Sequence, residues 1–155
     1  MSAPPNFELP LLLTLGSRVV IDDLHRALAA LGYDDVRPAH GFVFQRIARG
    51  GATGSELAAF LDITKQATSA LVADLERRGY VASHPHPTDR RGKLITLTAR
   101  GWDCLNASAT ILGELEARWA TIIGAERLAA LRADLRLLIA ETNGGTLPQR
   151  FRPVW

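Results

Sequence analysis

The chain has 155 residues, of which 47% are hydrophobic and 22% charged, a composition typical of one globular domain. Its net charge of +2 is too small to indicate a nucleic-acid binder by itself, and its single cysteine, Cys104, excludes an internal disulfide and a zinc site built from several cysteines. The apolar run from Leu9 to Leu15 is too short to span a bilayer and lacks the features of a secretory signal, so we expect a cytoplasmic protein with no membrane partner.

The first third of the chain predicts two helices. Apolar residues recur at helical spacing from about Leu11 to Leu31, and Gly32 ends this first helix. Pro38 begins a short second helix that continues to about Ala48, just before two glycines.

Two further helices follow, with a very short turn between them. Thr53 and Glu56 have the spacing of a capping box at the start of the first. Thr64 is a good N-cap for the second, which is predicted from Lys65 to Arg78. The predicted inward-facing residues are Leu57, Ala58 and Leu61 on the first and Ala67, Ala70, Leu71 and Leu75 on the second. Helices joined this tightly are typical of a helix-turn-helix.

The stretch after Gly79 predicts a β-hairpin. Residues 94–98 alternate and are rich in β-branched side chains, which is typical of a strand, and residues 80–82 provide a short partner. Prolines and Gly92 lie between them and allow a turn. Because a hairpin directly after a helix-turn-helix forms a winged helix, the expected fold class is mainly α with a small β-hairpin wing (α+β).

Two long amphipathic helices complete the pattern. Thr98 caps the first of them, which Gly124 ends, and Cys104 on this helix is expected to be a small buried hydrophobe. The last helix is marked by leucines at positions 128, 131, 135 and 138. Their apolar stripes exceed what a small winged helix needs, so we expect the surplus to meet a second subunit.

The expected organisation is one domain between two tails. The tails are residues 1–10 and 143–155, and the domain is residues 11–142. Within it, helices at about 11–31 and 102–142 form a homodimer, and the winged helix-turn-helix occupies about 38–100.

Positive charge is concentrated in the hairpin. Residues 81–101 contain Arg90, Arg91, Lys93 and Arg100 against Asp89 alone, which gives +3. In a dimer this charge occurs twice on one face, as binding to a duplex backbone requires.

Two segments carry a specific residue pattern. Residues 54–81 read GSELAAFLDITKQATSALVADLERRGYV, and residues 86–101 read HPTDRRGKLITLTARG. The first resembles the helix-turn-helix of the MarR family of bacterial transcriptional regulators, and the second resembles that family's wing and the start of its next helix. The Asp-Arg-Arg triplet at a fixed distance before Leu-Thr-x-x-Gly is the specific part. The resemblance covers about Glu8 to Ala140.

The resemblance implies a homodimer that binds double-stranded operator DNA, with the helix from Lys65 in the major groove. The residues then nearest the DNA are Thr64, Lys65, Gln66, Thr68 and Ser69. Gln66 suits an adenine edge, Lys65 a guanine or a phosphate, and the hydroxyls suit phosphates. Ser55 is either a phosphate contact or a plain polar residue of a first helical turn.

The resemblance also assigns roles to the wing. Arg91 would enter the minor groove, Arg90 and Lys93 would contact the DNA backbone, and Asp89 would support the wing or orient an arginine.

Many members of the family bind a small aromatic or phenolic acid between the dimerisation helices and the winged domain. Arg18, Asp22, His40 and Phe44 are the candidates for such a site here, although ordinary packing or surface charge also explains each of them. No cofactor or functional metal is expected.

The sequence therefore favours a DNA-binding transcriptional regulator, a repressor released by a small aromatic ligand. The alternative is a winged-helix protein-interaction module without specific DNA binding, which the net charge of −1 over residues 54–80 keeps open. An enzyme is not expected, because no phosphate-binding glycine loop, nucleophile elbow or paired carboxylates occur.

Overall fold

The computed structural model describes residues 7–89 and 92–150, and this part of the chain contains six helices and one two-stranded hairpin. In chain order these elements are α1 (Glu8–Ala30), α2 (Pro38–Ile47), α3 (Gly54–Leu61), α4 (Lys65–Arg77), β1 (Val81–Pro85), β2 (Lys93–Leu97), α5 (Ala99–Ile123) and α6 (Ala125–Thr142). The predicted fold class, mainly α with a small β-hairpin wing, is confirmed.

The first helix begins earlier than predicted, at Glu8 rather than near Leu11. The prediction stopped short because Pro10 is usually a helix breaker. Pro10 lies in the first turn of α1, where its missing N–H would have had no intrahelical acceptor, so it does not interrupt the helix.

The predicted caps of the helix-turn-helix are present. The Thr53 N–H donates to Glu56 Oε2 at 2.7 Å, and the Glu56 N–H donates to Thr53 Oγ1 at 3.2 Å, which completes the capping box of α3. The Ala67 N–H donates to Thr64 Oγ1 at 3.1 Å at the start of α4. Asp62 forms the turn between the two helices in the left-handed conformation, with φ of 53°.

The buried face of α4 differs from the prediction. Its buried residues are Thr68, Val72 and Leu75, which follow helical spacing, whereas Ala67 and Ala70 are exposed and Leu71 is only half-buried. The prediction is confirmed for Leu75 and wrong for Ala67 and Ala70. Residues 65–70 contain no large apolar side chain, so small alanines determined where the inner face was placed. On α3 the predicted residues Leu57, Ala58 and Leu61 are all buried.

The hairpin is joined to α3 by a contact that the sequence did not reveal. Its strands pair antiparallel, with Val81 opposite Leu97 and Pro85 opposite Lys93. Ala52 exchanges two backbone hydrogen bonds with Ile95, at 3.0 and 2.9 Å, just before α3 begins. This bridge holds the wing beside the helix-turn-helix.

The core lies beneath the winged helix, whereas the terminal helices leave large apolar side chains exposed. The largest fully buried side chains are Tyr80, Phe44, Leu28, Ile47, Leu57, Leu61, Leu75 and Val43. The exposed ones include Leu9, Leu11, Leu12, Leu13, Leu15 and Val19 on α1, Ile122 on α5, and Leu131, Leu137, Leu138 and Ile139 on α6. Among the described residues, no helix is long and apolar enough to cross a bilayer.

Gly101 allows the start of α5 to pack directly against Tyr80. A Cβ at this position would lie 2.2 Å from the Tyr80 carbonyl oxygen, so we expect Gly101→Ala to lower the free energy of unfolding by about 2–3 kcal/mol, as overpacking does. Urea unfolding at a fixed protomer concentration measures this loss.

Gly113→Ala is the matched control for this substitution. It makes the same change on the same helix, but no atom lies within 4 Å of the added Cβ. It should raise the free energy of unfolding by about 0.5–1 kcal/mol through helix propensity. Equal effects of the two variants would contradict the close approach at Gly101.

Candidate DNA-binding interface

One face of α4 and the hairpin form the two sides of an open groove of about 410 Å³. Lys65 and Ser69 lie on one side, Lys93 lies on the other, and Ser55 at the start of α3 closes one end. Both lysines of the chain therefore line the same groove. Glu76 also lines it, at the far end of α4, so the groove is most basic near the start of this helix.

Most of the predicted contact residues have exposed side chains. These are Ser55, Thr64, Lys65, Gln66, Ser69 and Lys93. The Ser69 hydroxyl donates to the Lys65 carbonyl at 2.9 Å and keeps its acceptor capacity. The Thr64 hydroxyl oxygen accepts the Ala67 N–H, and the proton of this hydroxyl can still donate to another acceptor.

Thr68 is the exception among the candidates on α4. Its side chain is only 1% exposed, and its hydroxyl donates to the Thr64 carbonyl at 3.0 Å. It therefore packs at the floor of the groove with its hydroxyl already hydrogen-bonded, unlike the exposed candidates around it. The physical reason is the helical rotation: Thr68 lies on the same face as Val72 and Leu75.

The wing turn is held by a histidine that the sequence did not single out for this role. His86 Nδ1 accepts the backbone N–H of Thr88 at 3.3 Å and that of Asp89 at 3.2 Å. The Gly92 N–H in turn donates to the Asp89 carbonyl at 3.0 Å. Asp89 thus supports the turn through its backbone, whereas Arg90 and Arg91 lie outside the described residues.

A polar cluster behind α4 was also missed. The Tyr80 hydroxyl donates to Asp35 Oδ1 at 2.5 Å and accepts from Arg100 at 3.0 Å. Arg78 at the end of α4 donates to the Asp35 carbonyl at 2.9 Å. The sequence explained Arg78 only as a favourable charge at a helix C-terminus. The signal that could have revealed the cluster was Asp35, in the loop between α1 and α2.

A mostly apolar cavity of about 170 Å³ lies between α1, α2 and α5. Of the four predicted ligand-site residues, Phe44 lines it, whereas Arg18, Asp22 and His40 do not. Arg18 and Asp22 are exposed on α1 because the inward stripe of that helix passes through Ile21, Leu24 and Leu28 instead. The polar residues that do line the cavity are His25, Arg37, Gln45 and Ser108.

His40 is a buried structural residue. Its Nδ1 accepts the Arg37 N–H at 3.1 Å, which caps the start of α2. Burial, followed by the nearby positive charge of Arg78, lowers the pKa of His40 to about 4. The imidazole therefore stays neutral near pH 7, and its Nδ1 is occupied by the cap of α2.

Cys104 is buried, as predicted for a small hydrophobe. Burial raises the pKa of its thiol to about 11, so the unreactive thiol form predominates at neutral pH. Among the described residues, no group of three or more His, Cys, Asp or Glu side chains could hold a metal ion.

The helix-turn-helix, its bridged hairpin and the groove between them define a winged-helix protein. Residues 34–92 match the model of the MarR family. The resemblance predicted from the sequence is confirmed over residues 34–92.

Two solved structures share the fold over nearly the whole chain. A transcriptional regulator from Thermotoga maritima, Tm0710, is 22% identical with a TM-score of 0.65, and covers 91% of this chain and 99% of its own. A mutant of MarR from E. coli in complex with operator DNA is 24% identical with a TM-score of 0.68, and covers 86% of this chain and 94% of its own.

Sequence similarity to a curated protein is confined to one segment. The transcriptional activatory protein BadR of Rhodopseudomonas palustris is 37% identical over 62 residues. The match spans 38% of this chain and only 35% of the length of BadR.

The low pKa of His40 predicts a pH dependence of stability. The unfolded chain binds the proton near the ordinary pKa of 6.5, whereas the folded chain binds it only near pH 4. The contribution of His40 to the free energy of unfolding is therefore fully present above about pH 6.5. It falls as the pH drops towards 4.

The comparison of the parent with His40→Gln by urea unfolding at several pH values isolates this effect. Glutamine at this position of α2 can still accept the capping N–H but does not titrate. We expect the two stability curves to converge as the pH falls from 6.5 to 4. His25, whose pKa is also lowered by burial, is common to both proteins and cancels. Parallel curves would contradict the neutral buried state of His40.

Proposed function

We propose that this protein is a transcriptional regulator that binds a pseudo-palindromic operator as a homodimer. The observation that carries this proposal is the groove between α4 and the wing, where exposed Lys65 and Ser69 stand opposite Lys93. Gln66, next to Lys65 on α4, is exposed as well. Polar side chains at the N-terminus of an exposed helix suit the major groove of DNA, and a basic hairpin beside it suits the phosphate backbone. The operator complex of the E. coli MarR mutant gives a precedent for this fold on DNA.

The proposed homodimer buries the apolar side chains that α1 and α6 leave exposed. Leu138 is 62% exposed and Ile122, at the end of α5, is 76% exposed. Such a concentration of exposed leucine and isoleucine on terminal helices is unfavourable in water and favours association with a second copy. The two winged domains would then be presented on one face, as two half-sites require.

The proposed contacts divide into two kinds. Gln66 can donate and accept at an adenine edge, and Lys65 can donate to a guanine or a phosphate. Ser55, Thr64, Ser69 and Lys93 suit phosphates and position the protein on the duplex. For the wing, we propose the roles that the family resemblance implies: Arg91 in the minor groove and Arg90 on the DNA backbone.

The cavity between α1, α2 and α5 is the proposed site for a small aromatic or phenolic acid. Phe44 and several aliphatic side chains offer an apolar wall for a ring, and Arg37, at the start of α2, offers a positive charge for a carboxylate. Binding there would change the affinity for DNA because the cavity lies behind the winged domain.

We propose repression as the direction of regulation, and one observation favours activation instead. BadR, which is similar over 62 residues, is by its name an activator. A reporter gene with the operator placed over or upstream of its promoter separates the two. Deletion of this protein should raise expression if it represses and lower expression if it activates.

Selection from a pool of random duplexes tests the proposal itself. The purified protein should enrich a sequence with two inverted half-sites about one helical turn apart. Fluorescence anisotropy against the enriched and a shuffled duplex then measures specificity. Enrichment of no sequence would contradict the proposal and favour a protein-interaction module.

Lys93→Gln should weaken binding to all duplexes alike, because an interaction with a phosphate carries no sequence information. The slope of log K against log salt should become shallower by about 1 for each lysine–phosphate pair removed, hence by about 2 for a dimer. Arg127→Gln removes the same charge from the exposed face of α6 and should leave the slope unchanged. Equal slopes for both variants would exclude Lys93 from the interface.

Gln66→Ala should lower the affinity for the selected operator by about 1–3 kcal/mol and relax the preference at one base pair of each half-site. Competition binding against operators substituted at each position measures this. Thr68→Val, two residues along α4, is the control, since its side chain is buried and should not change the preference. An unchanged base preference in Gln66→Ala would rule out direct reading by this residue.

A further inference from the structure

We infer that Asp35, Tyr80 and Arg78 form the physical link through which the cavity between α1, α2 and α5 controls the orientation of α4. This inference rests on the proposed function, because it concerns how that function is regulated. It assigns Tyr80 as a positioning residue that contacts neither DNA nor the ligand.

The cavity reaches this cluster through two of its walls. The Phe44 ring lines the cavity, and its centroid lies 5.5 Å from that of the Tyr80 ring. Val36 also lines the cavity and directly follows Asp35 in the chain. A molecule that enters the cavity therefore presses on the ring next to Tyr80 and on the backbone next to Asp35.

The cluster in turn holds the C-terminal end of α4. Arg78 follows the last residue of this helix and donates to the Asp35 carbonyl at 2.9 Å, while its Nε lies 2.7 Å from Asp74 Oδ2 within α4. The Tyr80 N–H donates to the Leu75 carbonyl at 2.9 Å, which ties the tyrosine to the last turn of the helix. A shift of Asp35 or Tyr80 is thus transmitted to α4 as a change in its direction.

The Tyr80 hydroxyl is the centre of the link because it joins groups from different elements. It donates to Asp35 Oδ1 at 2.5 Å and accepts from Arg100 of α5 at 3.0 Å. Burial, and then the bond to Asp35, raise the pKa of Tyr80, so the hydroxyl remains a donor at physiological pH. Arg100 Nη2 and Asp35 Oδ1 also form a long ion pair of 3.9 Å, which the loss of the hydroxyl would allow to shorten.

Filling the cavity by mutation tests the link without an identified ligand. Gly41 lines the cavity, and a Cβ there meets no atom within 4 Å, so Gly41→Leu places an apolar side chain at the cavity wall. We expect Gly41→Leu to change the affinity for the selected operator by about tenfold, within the usual range of allosteric coupling. Ser108→Leu fills the same cavity from α5 and replaces Gly41→Leu if that variant does not fold.

The link itself is tested by a double-mutant cycle. In the Tyr80→Phe background, the effect of Gly41→Leu should fall from about tenfold to less than about twofold. Tyr33→Phe is the matched control: its ring centroid lies 6.4 Å from that of Tyr80 in the same cluster, but its hydroxyl makes no hydrogen bond among the described residues. The effect of Gly41→Leu should stay near tenfold in that background.

The outcomes separate this inference from the proposed function. A tenfold effect that persists in Tyr80→Phe, or a filled cavity with no effect in the parent, would overturn the link. If the protein selects no operator, the proposed function fails, and amide hydrogen exchange over residues 64–80 then provides the readout without DNA. A change in exchange caused by Gly41→Leu and abolished by Tyr80→Phe would support the link even so, whereas a change that Tyr80→Phe leaves intact would overturn it.

Discussion

The burial of one tyrosine is the constraint on which the arrangement of this protein depends. Tyr80 is 0% exposed and carries a hydroxyl that needs partners in the core, which Asp35 and Arg100 supply. Its backbone N–H ends α4, and its carbonyl accepts from Thr98 at 3.1 Å, which closes the hairpin. A single residue thereby connects α4, the wing and the long helix α5.

The same junction explains a short sequence signature. Thr98 Oγ1 donates to the Gly79 carbonyl at 2.6 Å and accepts the Gly101 N–H at 3.1 Å, so it joins the end of α4 to the start of α5. Gly101 lacks a Cβ where the Tyr80 carbonyl approaches. The Leu-Thr-x-x-Gly pattern is therefore a packing requirement that places the hairpin beside α4, and the groove proposed to bind DNA is its consequence.

Local chemistry explains which parts of the fold could be predicted. The caps at Thr53, Thr64 and Thr98 depend on residues three positions apart, so they can be recognised in the sequence. The inner face of α4 was misplaced at its start because alanine is the only apolar residue type between positions 65 and 70. The bridge between Ala52 and Ile95 was missed because it joins backbone groups far apart in the chain and leaves no side-chain signal.

The sequence by itself determined the order of helices and strands and the winged-helix class, because periodicity and capping are local. It also singled out candidates for DNA contact, most of which are exposed in the structure. Only the tertiary structure decided that Thr68 is buried, that His40 caps α2, and that Phe44 alone of the four ligand candidates lines the cavity. These outcomes depend on how each helix is rotated about its axis. That rotation is set by close packing against other elements, around Tyr80 above all, and not by the residues of one helix.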